Sequence, residues 1–339
     1  MCAQLDGLPL ALEILAARAD IFSPTQLNDD LKRGLDALED GPRDLPARHR
    51  TLRNTIRWST RLLNPTQRSL FAHISVFAGS FDAPAVRAVY GLFENRAEAV
   101  INGIQALTQA SLVQAVGPNR WRMLEPIRQF AEEMLTQQSL FAQAKACHAI
   151  HYVNIAETAR SSLLKPGAET WMAQLEADHA NMQAVIQWAL QTQQPELVLR
   201  IGQGIFRFWF RRGMWREGLD WLEQALQMNE VASTTPPDIQ TKALRAAGTM
   251  AHMLAQYERA EEHFLAGLKL AYQLEDDEQV ASTYCSLGTL RKDQGQFDDA
   301  LSYFDQSMAV RSERISKFAW QSKADTLLRL VPRQALILG

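Results

Sequence analysis

The sequence predicts a mainly α protein, in which a helical module and a small domain of helices with one hairpin precede an α-solenoid of stacked helix pairs. Three observations predict it. A repeat of forty residues runs through the C-terminal half, and a different grammar of helices and a hairpin occupies residues 45–136. The composition, 47% hydrophobic and 22% charged, is that of an ordinary folded chain.

The repeat comes first, because it sets the architecture. Tyr257, Ala260 and Phe264 each stand forty positions before Phe297, Ala300 and Phe304, and Gly248 stands forty before Gly288. A looser copy places Trp215, Gly218 and Leu222 forty-two positions earlier again, with Gly213 where Gly295 stands. Each unit reads as two antiparallel helices. A small residue such as Ala260 or Ala300 lets them approach, and the aromatics fill the gap between them. One unit cannot bury its own apolar face, so the units must stack, and a stack of helix pairs has a concave groove as its binding surface.

Leu287-Gly288, Gly295-x-Phe297, Ala300 and Phe304 resemble the tetratricopeptide repeat, whose pattern is Leu-Gly, Gly-x-Tyr/Phe, Ala and Phe at fixed offsets. The resemblance is closest over 280–308, looser over 240–270 and loosest over 200–228. The period exceeds the roughly thirty-four residues of that repeat, which implies longer helices or loops, as in the variant found in large bacterial regulators. Past Val310 the pattern stops, since neither Leu328 nor Ala335 is the Gly a further copy would place there. Residues 196–310 are therefore expected to be the repeats, and 311–339 a divergent or truncated tail.

Upstream, Met182, Val185, Ile186 and Ala189 fall at helical spacing, so 137–195 reads as a helical connector. The stretch Ala232 to Asp238 reads as a loop between units rather than a domain linker. Within 45–136, a helix is expected from about Arg50 to Leu63. Asn64-Pro65 then caps a second helix that runs through Phe71 to Phe77. Leu112–Val116 and Arg120–Leu124 flank the turn Gly117-Pro118-Asn119 as a hairpin. Three helices followed by a two-stranded wing is a winged-helix order.

The opening Gly7-Leu8-Pro9-Leu10 resembles the signature that closes the nucleotide-binding core of STAND signalling ATPases, the NB-ARC-like group. Similar stretches follow at 41–48, 52–59, 75–79 and 124–131, so that with the repeats the resemblance covers most of 1–310. It identifies 1–44 as a helical remnant of the NB-ARC-like module and implies that the winged helix is an internal switch. In intact members, by the same resemblance, ATP or ADP is the cofactor, an inducer binds the repeats, and the output is often transcription. It also makes Gly7, Leu8, Pro9 and Leu10 candidate residual nucleotide contacts, with Pro9 against adenine if a core is supplied separately. The plainer reading of the same four residues is a turn and a proline-initiated helix.

A phosphate-cradling loop needs a Gly-Lys pair, and none occurs in the sequence. With Gly-Leu-Pro-Leu beginning at position 7, there is no room ahead of it for the parallel sheet of such a core. The expectation is a non-catalytic chain with no cofactor of its own. No Met-His-Asp triplet is present to act as a nucleotide sensor.

The net charge of -3 and pI near 6.2 give no global positive field for nucleic acid. Arg50, Arg53, Arg57 and Arg61 line one helix face, but no aromatics interleave them and acids at Asp40, Asp44 and Asp82 accompany them, so a solvated or domain-contact face is expected rather than DNA binding. Three cysteines, Cys2, Cys147 and Cys285, do not make a disulfide framework, and no stretch reaches the roughly 18–20 apolar residues of a membrane span. A cytoplasmic chain without membrane contact is expected. Cys147 and His151 lie four apart beside His148, too few ligands for a closed metal site. The pairs Glu132-Glu133, Glu261-Glu262 and Asp298-Asp299 read as solvated helix faces, and no nucleophile elbow is present.

The sequence therefore points to a signalling or regulatory scaffold that takes a protein partner or a small inducer in its repeat groove. The alternatives are the C-terminal part of an ATP-dependent signalling ATPase whose core lies on another chain, and a DNA-binding winged-helix regulator. The repeat register carries its own test: Ala300→Leu should overpack its helix pair and cost about 1–3 kcal/mol in chemical denaturation. Unchanged stability would refute the register.

Overall fold

In a computed structural model of the chain, the described residues are 47–91 and 97–310, with positions 16, 23, 25 and 26 besides. Gly7 to Leu10 and the 311–339 tail lie outside them. Contacts group the chain into two units, residues up to Tyr152 with Glu176–Ala184, and Val153–Leu175 with the residues from Val185 onward.

The first unit begins with α1 (Ala47–Arg61) and α2 (Pro65–His73), which a 3-10 turn at Ile74–Val76 extends. Asn64 caps α2 in a reciprocal box with Gln67, and Pro65, which has no N–H to leave unpaired, opens the helix. There follow β1 (Phe81–Asp82), α3 (Ala83–Tyr90), α4 (Ala97–Gln109), β2 (Gln114–Gly117), β3 (Arg120–Arg122) and α5 (Glu125–Gln137). The expected second helix is thus shorter, ending at His73, and four described helices precede the hairpin rather than three.

The hairpin has a third strand. β1 pairs antiparallel with β3, Phe81 opposite Trp121 and Asp82 opposite Arg120, giving the order β1-β3-β2. Two residues are too short to show alternation in a sequence, and the same Asp82 whose backbone pairs with Arg120 caps α3 through its carboxylate, which accepts from Ala85 N at 2.8 Å. Phe71, Phe77, Phe81, Ile104 and Leu107 form the apolar centre, Phe77 and Phe81 stacking at 4.8 Å.

Helices α6 (Phe141–Ser162) and α7 (Ala168–Gln191) follow. The middle of α7 closes the first unit. Asn181, fully buried, accepts from Ala78 N at 2.9 Å and donates to Ser80 O at 2.8 Å. Arg120 donates to Asp178 at 2.6 Å, to Ser80 O at 3.0 Å and to Ala177 O at 3.1 Å. The loop between α2 and β1 thus has part-buried backbone groups satisfied by side chains forty and about a hundred residues away. His148 on α6 packs edge-on to Phe77 and Tyr152 and lies 3.4 Å from the Asn181 amide oxygen.

Burial, with a smaller push from Lys145, holds the His148 imidazole down to about 3. Unfolded, it takes a proton near its ordinary 6.5, so between these values the unfolded chain binds more protons and stability falls as pH falls, by at most about 1.4 kcal/mol per unit from this residue. His73 and His151, also lowered by burial, add to the slope. Urea denaturation from pH 7 to 4 should show this loss, and His148→Gln should flatten it by one proton; an unchanged slope would remove His148 from that role.

In the second unit the pairs are α8 (Pro195–Arg212) with α9 (Trp215–Ala232), α10 (Pro237–Met253) with α11 (Tyr257–Gln273), and α12 (Asp277–Asp293) with α13 (Phe297–Val310). Helices α10, α11 and α12 each have 17 residues, separated by three-residue turns. Longer helices, not longer loops, therefore make the period forty.

Candidate binding site on the repeat array

The signature residues hold each pair together. A Cβ on Gly248 would lie 2.6 Å from the Phe264 ring, and one on Gly288 would lie 2.6 Å from the Phe304 ring. Ala260, Ala300, Leu287, Phe264 and Phe304 are all buried, while Tyr257 and Phe297 sit half-exposed at the start of each second helix. The looser copy keeps small against large but exchanges the helices: Gly218 on α9 receives Trp209 of α8, with a Cβ at 2.8 Å from the ring, and Gly202 on α8 lies against Leu222. That exchange is why its sequence match is poor.

The turns inside the pairs share one geometry. Gly213, Ala255 and Gly295 have φ of 72°, 58° and 80°, the left-handed region. The following N–H groups of Met214, Gln256 and Gln296 reach back five residues to the carbonyls of Trp209, Ala251 and Arg291, which closes each first helix with a Schellman motif. Ala255 pays for a conformation that glycine adopts freely.

Successive first helices, α8 on α10 and α10 on α12, pack directly against each other, whereas the second helices pack mainly on the first. The first helices therefore form the inner layer of the array. Side chains that bridge them gather around Phe206: the Arg207 guanidinium lies 4.8 Å and the Arg245 guanidinium 5.7 Å from its ring centre. Arg245 Nε donates to the Gln279 amide oxygen at 3.4 Å, and Arg160 of α6 donates to that of Gln203 at 3.3 Å. Burial first, then the charges of Arg207 and Arg160, push Arg245 down to about 10, with Glu278 opposing.

A second feature is a cleft of about 490 Å³ between α11, α12 and α13, lined by Leu265, Leu268, Tyr284, Arg291, Asp299 and Tyr303 among others. The Tyr272 and Tyr284 hydroxyls hydrogen-bond at 2.8 Å, and burial, helped by that bond, raises Tyr284 to about 12.

The other sequence candidates fall elsewhere. His148 and His151 both lie against Tyr152, Cys147 is half-buried, and no group of three or more His, Cys, Asp or Glu able to hold a metal occurs among the described residues. Of the arginine stripe, Arg53 pairs with Glu133 of α5 and covers Phe130, so it is a packing group. Glu132 pairs with Arg128 at 2.5 Å, and Glu261 with Arg291. No described helix is long and apolar enough to cross a membrane. The cluster around Phe206 was not found from the sequence, because its members come from four helices spread over more than a hundred residues and share no motif.

Ala255→Gly should raise stability by about 1 kcal/mol in chemical denaturation, the relief of the left-handed strain being partly offset by glycine's unfolded-state freedom. A loss of stability would show that the turn is not strained as described.

Residues 238–313 match the tetratricopeptide repeat family. A Mycobacterium tuberculosis protein named provisionally as an HTH-type transcriptional regulator is 33% identical over 233 residues, 67% of this chain and 26% of its own length, and its Mycobacterium bovis counterpart matches equally. An uncharacterized Mycobacterium tuberculosis protein is 35% identical over 150 residues, 40% of this chain and 36% of that protein. Among solved structures, a STAND protein with a tetratricopeptide repeat sensor from Pyrococcus horikoshii covers 94% of this chain and 57% of its own, at 11% identity and a TM-score of 0.35, a likeness too slight to speak to function. The chain spans about a quarter of the length of the mycobacterial regulators it matches. Residues 238–313 of the array thus match the tetratricopeptide repeat family, and the chain is similar through two thirds of its length to those mycobacterial proteins.

Proposed function

We propose that this chain is a non-catalytic regulatory scaffold of the STAND type, in which the inner face of the repeat array recognises a protein partner or small inducer. The observation that carries this reading is the division of labour in the repeats. The signature residues are spent on packing within pairs, while the inner layer gathers polar and charged side chains that the packing does not need. Tetratricopeptide arrays use that face for recognition. The mycobacterial relatives' names support a transcriptional output.

In the same reading α2, β1, α3, α4, β2 and β3 are a winged helix, since three helices and a three-stranded sheet come in that order, and they act as an internal switch rather than a DNA reader. Arg53 supports this, because its guanidinium is committed to Glu133. Nucleotide turnover is not part of the proposal: without a Gly-Lys pair there is no phosphate cradle on this sequence.

Hydrogen exchange of the full chain, alone and in extract of its host, tests recognition. Protection confined to α8, α10 and α12 is expected, and protection confined to 47–137 would move the binding surface to the winged helix. Calorimetric titration with ATP and ADP in magnesium, beside phosphate release, tests the rest. No turnover is expected, and turnover would overturn the non-catalytic reading.

A further inference from the structure

We propose that the cleft between α11, α12 and α13 is a binding site for a small organic cation, an ammonium or guanidinium on an apolar stem. The site is separate from the inner-face surface proposed above and stands or falls without it.

The repeat contains its own control. Arg259 and His263 stand forty positions before Asp299 and Tyr303, and Glu223 stands forty-two before Leu265, the offsets of the repeat itself. At the earlier junction these residues tie successive second helices together: the Glu223 carboxylate of α9 holds the Arg259 guanidinium of α11 and lies 2.9 Å from His263 Nε2. At the later junction, between α11 and α13, the corresponding places hold Leu265, Asp299 and Tyr303. Leu265 has no charge to offer, and Asp299 has neither a hydrogen bond nor an ion pair among the described residues. What is a closed ionic contact in one unit is therefore open in the next, as a cleft of about 490 Å³, a volume within the range of small-molecule sites.

The lining sets the class of ligand. Helices α11 and α13 both pack on α12, which forms the floor: Tyr284 is 9% exposed, while Leu265, at 46%, and the exposed Asp299 stand at the rim. The Tyr284 and Tyr303 rings lie 6.0 Å apart, tilted by 30°. A phenol ring attracts a cation to its face, and Leu265 and Leu268 can cover an alkyl stem. Arg291, the one cation in the lining, is already held by Glu261 and donates to the Gln294 amide oxygen at 2.9 Å. Helix α13 carries Asp298, Asp299 and Asp305 and neither Lys nor Arg, so the field on that wall is negative. An unpaired carboxylate beside two aromatic rings and two leucines suits a positive head on a short carbon chain, and it repels an anion.

The test is calorimetric titration of the full chain with n-butylamine and with n-butylguanidine, both cations at neutral pH, at ionic strength held constant with sodium chloride. Binding of at least one by the wild type is expected, and n-butanol, the same stem without charge, should not bind. A response to the guanidine alone would assign a guanidinium ligand, and to the amine alone an ammonium. Asp299→Asn should weaken binding on the order of tenfold. Tyr303→Leu should weaken it about fivefold, while Tyr303→Phe, which keeps the ring, binds like the wild type. Asp298→Asn removes the same charge from the same end of α13 but lies outside the lining, and should change affinity by less than about twofold. Both carboxylates are exposed, so the two Asn variants should keep the wild-type thermal midpoint. Leu265→Glu with Asp299→Arg rebuilds the pairing of the earlier junction and should abolish binding. No binding of either cation by the wild type, equal binding of n-butanol, equal weakening by Asp298→Asn and Asp299→Asn, or full binding by the double variant would each overturn the site.

Discussion

Everything in the repeat array depends on a close approach of backbone and ring: a residue without a side chain on one helix against a large one on its partner. Gly248 against Phe264 and Gly288 against Phe304 leave no room for even a methyl group. Interiors pack at the density of organic crystals, so a contact this close fixes the distance and rotation of both helices. The apolar face that one pair leaves open then falls to the next pair. The first copy shows that the constraint is physical, not a matter of particular positions. Its glycine has moved to α9 and its large ring to α8, and the two helices still close.

With the pairs fixed this way, charged side chains of neighbouring units are brought within reach of each other. Arg259 on the second helix α11 is paired with Glu223 of α9, and Arg291 on the first helix α12 with Glu261 of α11, each across neighbouring units. Such exposed or part-exposed pairs contribute little individually, but they balance charge between neighbouring units. Around Phe206, the Arg207 and Arg245 guanidiniums instead lie over an aromatic ring. The same chain therefore uses arginine in two ways, as a clip to a carboxylate and as a cation over a ring.

The first unit solves a different problem. A short sheet with a two-residue edge strand and an irregular loop buries backbone groups that no ladder can satisfy. Arg120 and Asn181 make five hydrogen bonds to Ala78, Ser80 and Ala177, four of them to backbone groups, and Asp178 holds the Arg120 guanidinium. A buried ion pair alone is weak evidence of stabilisation. Here the arginine also serves two backbone carbonyls, so its removal would leave part-buried acceptors without this donor.

The helices, the repeat register, the capping of α2 by Asn64 and the hairpin strands were legible in the sequence, because each is encoded within one or two turns by periodicity, a cap or a turn residue. So were the packing roles of Gly248, Gly288, Ala260, Ala300, Phe264 and Phe304, since a repeat displays the same local solution twice. The third strand, the clasp of Asn181 and Arg120, and the meeting of Arg207 and Arg245 at Phe206 were not. Each joins residues tens to a hundred positions apart, with no shared motif and no fixed spacing. Local sequence determines which segments become helices and which faces they must bury; only the packed chain decides which side chains from distant helices arrive at the same point, because that depends on crossing distances set by the glycine contacts themselves.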